Sequence, residues 1–124
     1  MSIEVKLEES LRRAWVTVLP EPQTTTVAEV VLRLTKQRPG MGGWDWIIDV
    51  RNPHVRATPD EIDCMAAAFN AATSEQSFTI FISNDPATYG RCAIMGRKFV
   101  KRRHLMVASV AEAKSLLPLA MQSI

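Results

Sequence analysis

Two short polar clusters carry the residues most able to do chemistry in this chain. Asp49, Arg51, Asn52 and His54 follow the apolar run Trp46-Ile47-Ile48, and Ser83, Asn84 and Asp85 follow Phe78-Thr79-Ile80-Phe81-Ile82. A helix start comes after each cluster: Thr58-Pro59-Asp60-Glu61 after the first, and Asp85-Pro86 itself within the second. If the two apolar runs are neighbouring parallel strands, these seven side chains converge on the carboxyl edge of a sheet, where α/β proteins bind ligands. His54 is the residue type that exchanges protons near neutral pH. Ser83, His54 and Asp49 supply the types of a nucleophile, a base and an orienting acid. Ser83, however, lacks the Gly-x-Ser-x-Gly elbow that exposes a nucleophile, and His54 follows Pro53 in a polar loop. Binding through these groups is therefore expected over catalysis, with Asp49 accepting hydrogen bonds from loop amides.

Other motifs have structural explanations. Thr58-Pro59-Asp60-Glu61 places a hydroxyl at the N-cap, proline at the first helical position and a carboxylate three residues on, which is a capping box. Pro39-Gly40-Met41-Gly42-Gly43 is glycine-rich, but a phosphate loop follows a strand and opens a helix, whereas this segment follows a helical pattern and enters a strand. It reads as a helix stop. Cys64 and Cys92 stand far apart with no metal-ligand spacing around them, so two reduced, helix-borne thiols are expected, with no metal and no cofactor. Trp44 and Trp46 share one strand face and are expected in the core.

Charge is uneven. The net charge is +2, yet the stretch from Arg91 to His104 holds Arg91, Arg97, Lys98, Lys101, Arg102 and Arg103 with no acidic residue. Removing these six from fifteen basic residues leaves nine against thirteen acidic ones, a balance of −4 elsewhere. This local patch suits an acidic protein or a weak contact with an anionic surface. Specific nucleic-acid binding is not expected, because no reading motif accompanies it.

The elements that must position these groups follow from periodicity. Ile3, Val5 and Leu7 alternate with charged residues, and Ala14, Val16 and Val18 repeat the alternation, which predicts an antiparallel hairpin. Val27, Val30, Val31 and Leu34 mark one helix face. Trp44 to Val50 is apolar without clean alternation, as expected of a central strand covered on both faces. Helix faces follow at Ile62, Met65, Ala66 and Phe69, and at Tyr89, Cys92, Met95 or Gly96, and Phe99. Strands are expected at Phe78 to Ser83 and Leu105 to Ala108. Ser109 caps a last helix carrying Val110, Ala113, Leu116 and Leu117. The order β-β-α-β-α-β-α-β-α predicts an α/β fold with a mixed, mostly parallel five-stranded sheet and about four helices.

A chain of 124 residues, 47% hydrophobic and 23% charged, suits a single domain spanning 1–124 with one folded core. Glu4, Lys6, Glu8 and Glu9 near the start differ from a secretory signal, and no apolar run reaches the roughly 18 residues of a membrane span. A cytoplasmic protein is expected.

The hairpin start, the α-β repeats and the strand Trp46-Ile47-Ile48-Asp49-Val50 ending in an Asp resemble the STAS domain, in its SpoIIAA-like branch of small stand-alone bacterial proteins. The resemblance implies a non-enzymatic regulatory module that binds a protein or small ligand, with a homodimer compatible. Signalling members carry an Asp-Ser-Ser-Gly-type motif with a phosphorylatable serine before the second helix. This chain has Arg56-Ala57-Thr58-Pro59-Asp60 there, so the phosphorylation switch is not expected to carry over. The same broad order also resembles CRAL-TRIO lipid-binding domains, which implies a small-molecule or lipid carrier. A small hydrolase using the strand-end groups is the third reading.

Overall fold

The computed structural model describes residues 2–72, 77–100 and 102–122. The elements are β1 (Ile3–Glu8), β2 (Arg13–Val18), α1 (Val27–Gln37), β3 (Asp45–Asp49), α2 (Pro59–Ala72), β4 (Ser77–Ile82), α3 (Pro86–Lys98), β5 (Arg102–Val107) and α4 (Val110–Gln122). Short 3-10 turns span Glu9–Leu11 and Pro39–Gly43. The strands lie in the order β1-β2-β3-β4-β5, with β1 antiparallel to β2 and the other pairs parallel. The expected α/β architecture is thus present, with five strands and four helices.

This order dictates the layers. Each parallel connection steps one strand in the same direction, so right-handed crossovers put α1, α2 and α3 on one face of the sheet. The core on that face joins Val16, Trp46 and Ile48 from the sheet to Val31, Phe69, Met95 and Phe99. Because α4 follows the last strand, it is free to take the opposite face, where Ala113 and Leu117 pack on Ile47, Ile80 and Ile82. β3 is buried along its whole length, as its unalternating apolar content predicts.

The expected caps form. Thr58 Oγ1 accepts from the Glu61 amide at 3.1 Å while Glu61 Oε1 accepts from the Thr58 amide at 2.9 Å. Asp85 Oδ1 accepts from the Ala87 amide at 2.9 Å with Pro86 next to it. At α4, Ser109 Oγ accepts from the Glu112 amide at 3.2 Å, and Glu112 Oε2 reaches one residue further back to the Ala108 amide at 3.1 Å. A further tie crosses helices, as Thr26 caps α1 and also donates to Glu61 Oε2 at 2.9 Å.

The α3–β5 segment departs from expectation. The buried stripe of α3 is Thr88, Cys92 and Met95, continued by Phe99 at the C-cap, so Tyr89 falls outside it and is 72% exposed. β5 begins at Arg102, three residues before the expected start, because it pairs in register from Ser77–Arg102 onward. Arg102 therefore does not belong to an exposed basic patch: it is 5% exposed. Its Nη1 donates to Phe78 O at 2.8 Å and Thr79 Oγ1 at 3.1 Å, and its Nη2 to Gly42 O at 2.7 Å and Trp44 O at 2.8 Å. The guanidinium lies 4.5 Å from the Phe69 ring centroid. Four acceptors and an aromatic face replace the water that a buried cation loses. Arg97, Lys98 and Arg103 are exposed, Arg91 is half-buried, and Lys101 lies outside the described residues.

Candidate functional site

A cleft of about 80 Å³ opens between α2 and α3 above the three-helix face of the sheet. Its floor is Trp46, Ile48, Thr79, Phe81 and His104, which the strand alternation directs to that face. Ile62, Met65 and Phe69 of α2 form one wall, Thr88, Arg91 and Met95 of α3 the other, and the loop from His54 to Ala57 the lip. Helix packing explains the opening: α2 packs closely on α1 but sparsely on α3. The two are tied at the C-terminal end of α3, where Lys98 meets Asp63 at 2.5 Å and Asn70 bridges Lys98 O and the Val100 amide. That tie closes one end and leaves the other open beneath the lip.

Polar groups enter this apolar space at defined places. Thr88, 2% exposed, shares a 2.8 Å hydrogen bond with Ser83 Oγ and accepts from Arg91 Nη2 at 3.3 Å. Ser83 Oγ in turn accepts from the Asp85 amide at 3.1 Å. A connected chain thus runs from the end of β4 to the Arg91 guanidinium. Arg56, on the lip, lies 3.8 Å from Asp85. At the floor, burial and then the nearby Arg102 guanidinium press His104 down to about 4, against a small opposing pull from the Arg102 backbone, so it is neutral at pH 7. Its ring packs edge-on to Phe99, with centroids 4.7 Å apart. Cys92, on the buried face of α3, is pushed up to about 11 by burial, with Arg91 opposing, and is a packing thiol; Cys64 is exposed.

The seven expected site residues lie around the carboxyl edge but not in one place. Asp49 pairs in register with Ile82, whose side chain belongs to the α4 face, so its carboxylate is directed away from the cleft. It accepts from Arg51 Nε at 3.0 Å, Nη2 at 2.7 Å and the Arg51 amide at 3.2 Å. Its part as acceptor for a loop amide is as expected. Asn52 Nδ2 donates to Val18 O at 2.9 Å, and His54 Nδ1 lies 3.2 Å from Asn52 O, fastening the lip to β2. Ser83 supports Thr88, Asp85 caps α3, and Asn84 is exposed. Asp49, His54 and Ser83 each bond elsewhere. Among the described residues, no group of three or more His, Cys, Asp or Glu side chains is placed to hold a metal ion.

Sequence reasoning does not single out Thr88, Arg56 or His104 for the site; it places Ile62, Met65, Phe69 and Met95 on helix faces without the gap between them. Thr88 had a visible signal, since a hydroxyl four residues before Cys92 and seven before Met95 lies on their helix face. The gap between α2 and α3 had none, because it arises from how two helices meet. Among the described residues, no helix is long and apolar enough to cross a membrane. No family model matches the chain, and neither the curated proteins nor the solved structures give a match.

Proposed function

We propose that this chain is a non-enzymatic binding module of the STAS-like class that holds a small, largely apolar molecule in the cleft between α2 and α3. The observation that carries this reading is the cleft itself. It is walled by three helices and the sheet, lined mostly by apolar side chains, and entered under a lip that hydrogen bonds fasten at Asn52. Ser83, His54 and Asp49 are each engaged as supports, which favours binding over hydrolysis. Thr58 is committed to capping against Glu61, and a phosphate there would stand against the Glu61 and Asp60 carboxylates, which weighs against a phosphorylation switch.

The volume sets the size of the ligand. About 80 Å³ is roughly half the ~150 Å³ of a cavity that accepts benzene, so the space takes a few methylenes of a narrow chain whose remainder extends toward the open end beneath the lip. Titration with n-alcohols from butanol to octanol, read by the fluorescence of Trp46 on the cleft floor, tests this. Affinity should rise about threefold to fourfold per methylene until the cleft is filled. Ile62→Trp, which adds a large ring at a half-buried wall position, should abolish the response while the protein still melts cooperatively. A folded Ile62→Trp protein that binds unchanged, or a wild type that binds none of the alcohols, would overturn the proposal.

A further inference from the structure

The charges around the cleft select among small apolar molecules. The described residues lining it include two arginines and two histidines but no carboxylate. Arg91 and Arg56 reach it from different elements, α3 and the lip. His104, neutral at pH 7, adds no charge to the floor. The acidic group beside this pair is Asp85, whose Oδ1 caps α3 while its Oδ2 lies 3.8 Å from Arg56 in a loose, exposed ion pair that a bound anion would compete with.

Arg91 is held as a binding group would be. Its guanidinium donates to a hydroxyl that is almost wholly buried, and that hydroxyl is fixed by Ser83. One such bond leaves the other guanidinium N–H groups to serve a ligand. A fork of parallel N–H donors is suited to an oxyanion, and an apolar tail beneath it would lie on Ile48, Phe81 and Met95.

We infer that the ligand is a short-chain amphiphilic anion, of which alkanoates are the simplest members, with its head between Arg91 and Arg56 and its tail in the cleft. This rests on the binding reading above and adds the head group to it. Thr88 is a positioning residue: its hydroxyl, held by Ser83, acts on the head group by orienting Arg91.

Hexanoate, hexanol and hexylammonium share one tail and differ only in the head, so they separate the two claims. Hexanoate should bind about tenfold more tightly than hexanol, and hexylammonium more weakly than both. Added salt should weaken hexanoate and leave hexanol unchanged. Arg91→Gln and Arg56→Gln should each lower the hexanoate-to-hexanol affinity ratio, and the double variant should bring it to about one. Thr88→Val, checked for cooperative melting, should lower the hexanoate-to-hexanol affinity ratio severalfold, whereas a merely structural role would weaken both equally and keep the ratio. Hexyl phosphate in place of hexanoate reports whether a dianionic head is preferred; either ranking fits the inference provided both exceed hexanol. Equal binding of hexanoate and hexanol would overturn the head-group assignment and leave the cleft reading intact. Failure of both to bind would remove the two together.

Discussion

The two ends of the sheet are built differently. At the amino end the Arg102 guanidinium crosses from β5 to Phe78, Thr79, Gly42 and Trp44, and Asp45 Oδ1 takes the Phe78 amide at 2.9 Å. The Trp46 indole adds a bond to Met41 O at 2.9 Å. Most buried polar groups there bond one another, and among the described residues of this bonded edge Ser77 Oγ and Arg102 Nε take no hydrogen-bond partner. At the carboxyl end, the helices separate and the polar groups are spent on caps, the lip and the support of Arg91. One end concentrates fixed bonds; the other preserves a space. Rigid support at one edge allows the opposite edge to stay open without the sheet loosening.

The largest effect should come from the amino end. Arg102→Met keeps much of the volume but strips donors from the carbonyls of Gly42, Trp44 and Phe78 and removes the cation beside Asp45. Leaving such acceptors unsatisfied costs about 1–3 kcal/mol each, partly recovered by relaxation, so urea unfolding should report a loss of about 4 kcal/mol. Arg102→Lys keeps the charge without the fork and should fall between. A loss below about 1 kcal/mol for Arg102→Met would show that this edge does not anchor the fold.

The next effect is pH dependence at the cleft floor. His104 is held near 4 in the fold against 6.5 in an unfolded chain, so the unfolded state takes up the proton first as pH falls. Its contribution is complete above about 6.5 and is lost between there and about 4. Discounted for residual exposure, that loss is about 2 kcal/mol. Glu61, lowered chiefly by the Thr58 amide, and Glu9, lowered by Arg38, add to acid lability only at lower pH, since their ordinary value is already 4.5. His104→Gln should therefore flatten the stability profile between pH 6.5 and 4 and leave the steeper fall below it. An unchanged slope in that window would mean that His104 is solvated.

The contrast between the two ends was only partly legible in the sequence. Period-two alternation gave the β1–β2 hairpin, and uninterrupted apolarity gave the burial of β3. Hydroxyl or carboxylate caps beside Pro59 and Pro86 gave the helix starts to within a residue. These signals are local, so a single segment carries them. Arg102 was hidden because it lies in a run of cations, and such runs are ordinarily solvated; only its register with Ser77 places it inside. The cleft was hidden for a related reason, since it depends on the angle between two helices whose faces each look complete. Asp49 is a different case. Its position between Ile48 and Val50 already assigns it to the opposite side of the pleat from them, so its separation from the cleft could have been read from strand periodicity alone.

Thr58→Ala should have a smaller effect. It removes the acceptor for the Glu61 amide at the start of α2 but not the Glu61 bond back to the residue-58 amide. A loss of about 1 kcal/mol is expected in chemical unfolding, with hexanol binding within twofold of wild type. A much larger loss would mean that the lip depends on this cap for its position, and the open end would then be less independent of its helix starts than the hydrogen bonds indicate.

The smallest effect should come from Arg51→Ala, and it sharpens the comparison most. Arg51 pairs with Asp49, yet its side chain is 40% exposed, and the Asp49 carboxylate keeps the residue-51 amide when the guanidinium is gone. A partly solvated ion pair of this kind contributes about 0.5 kcal/mol. Because the pleat directs Asp49 to the α4 face, the pair should also be irrelevant to the cleft: hexanoate should bind Arg51→Ala as it binds wild type, while Arg91→Gln loses the preference for an anion. Both arginines border the same edge of the sheet and differ in which face they serve. Equal loss of hexanoate binding in the two variants would show that the edge acts as one polar surface, with the ligand lying across the strand ends rather than between α2 and α3.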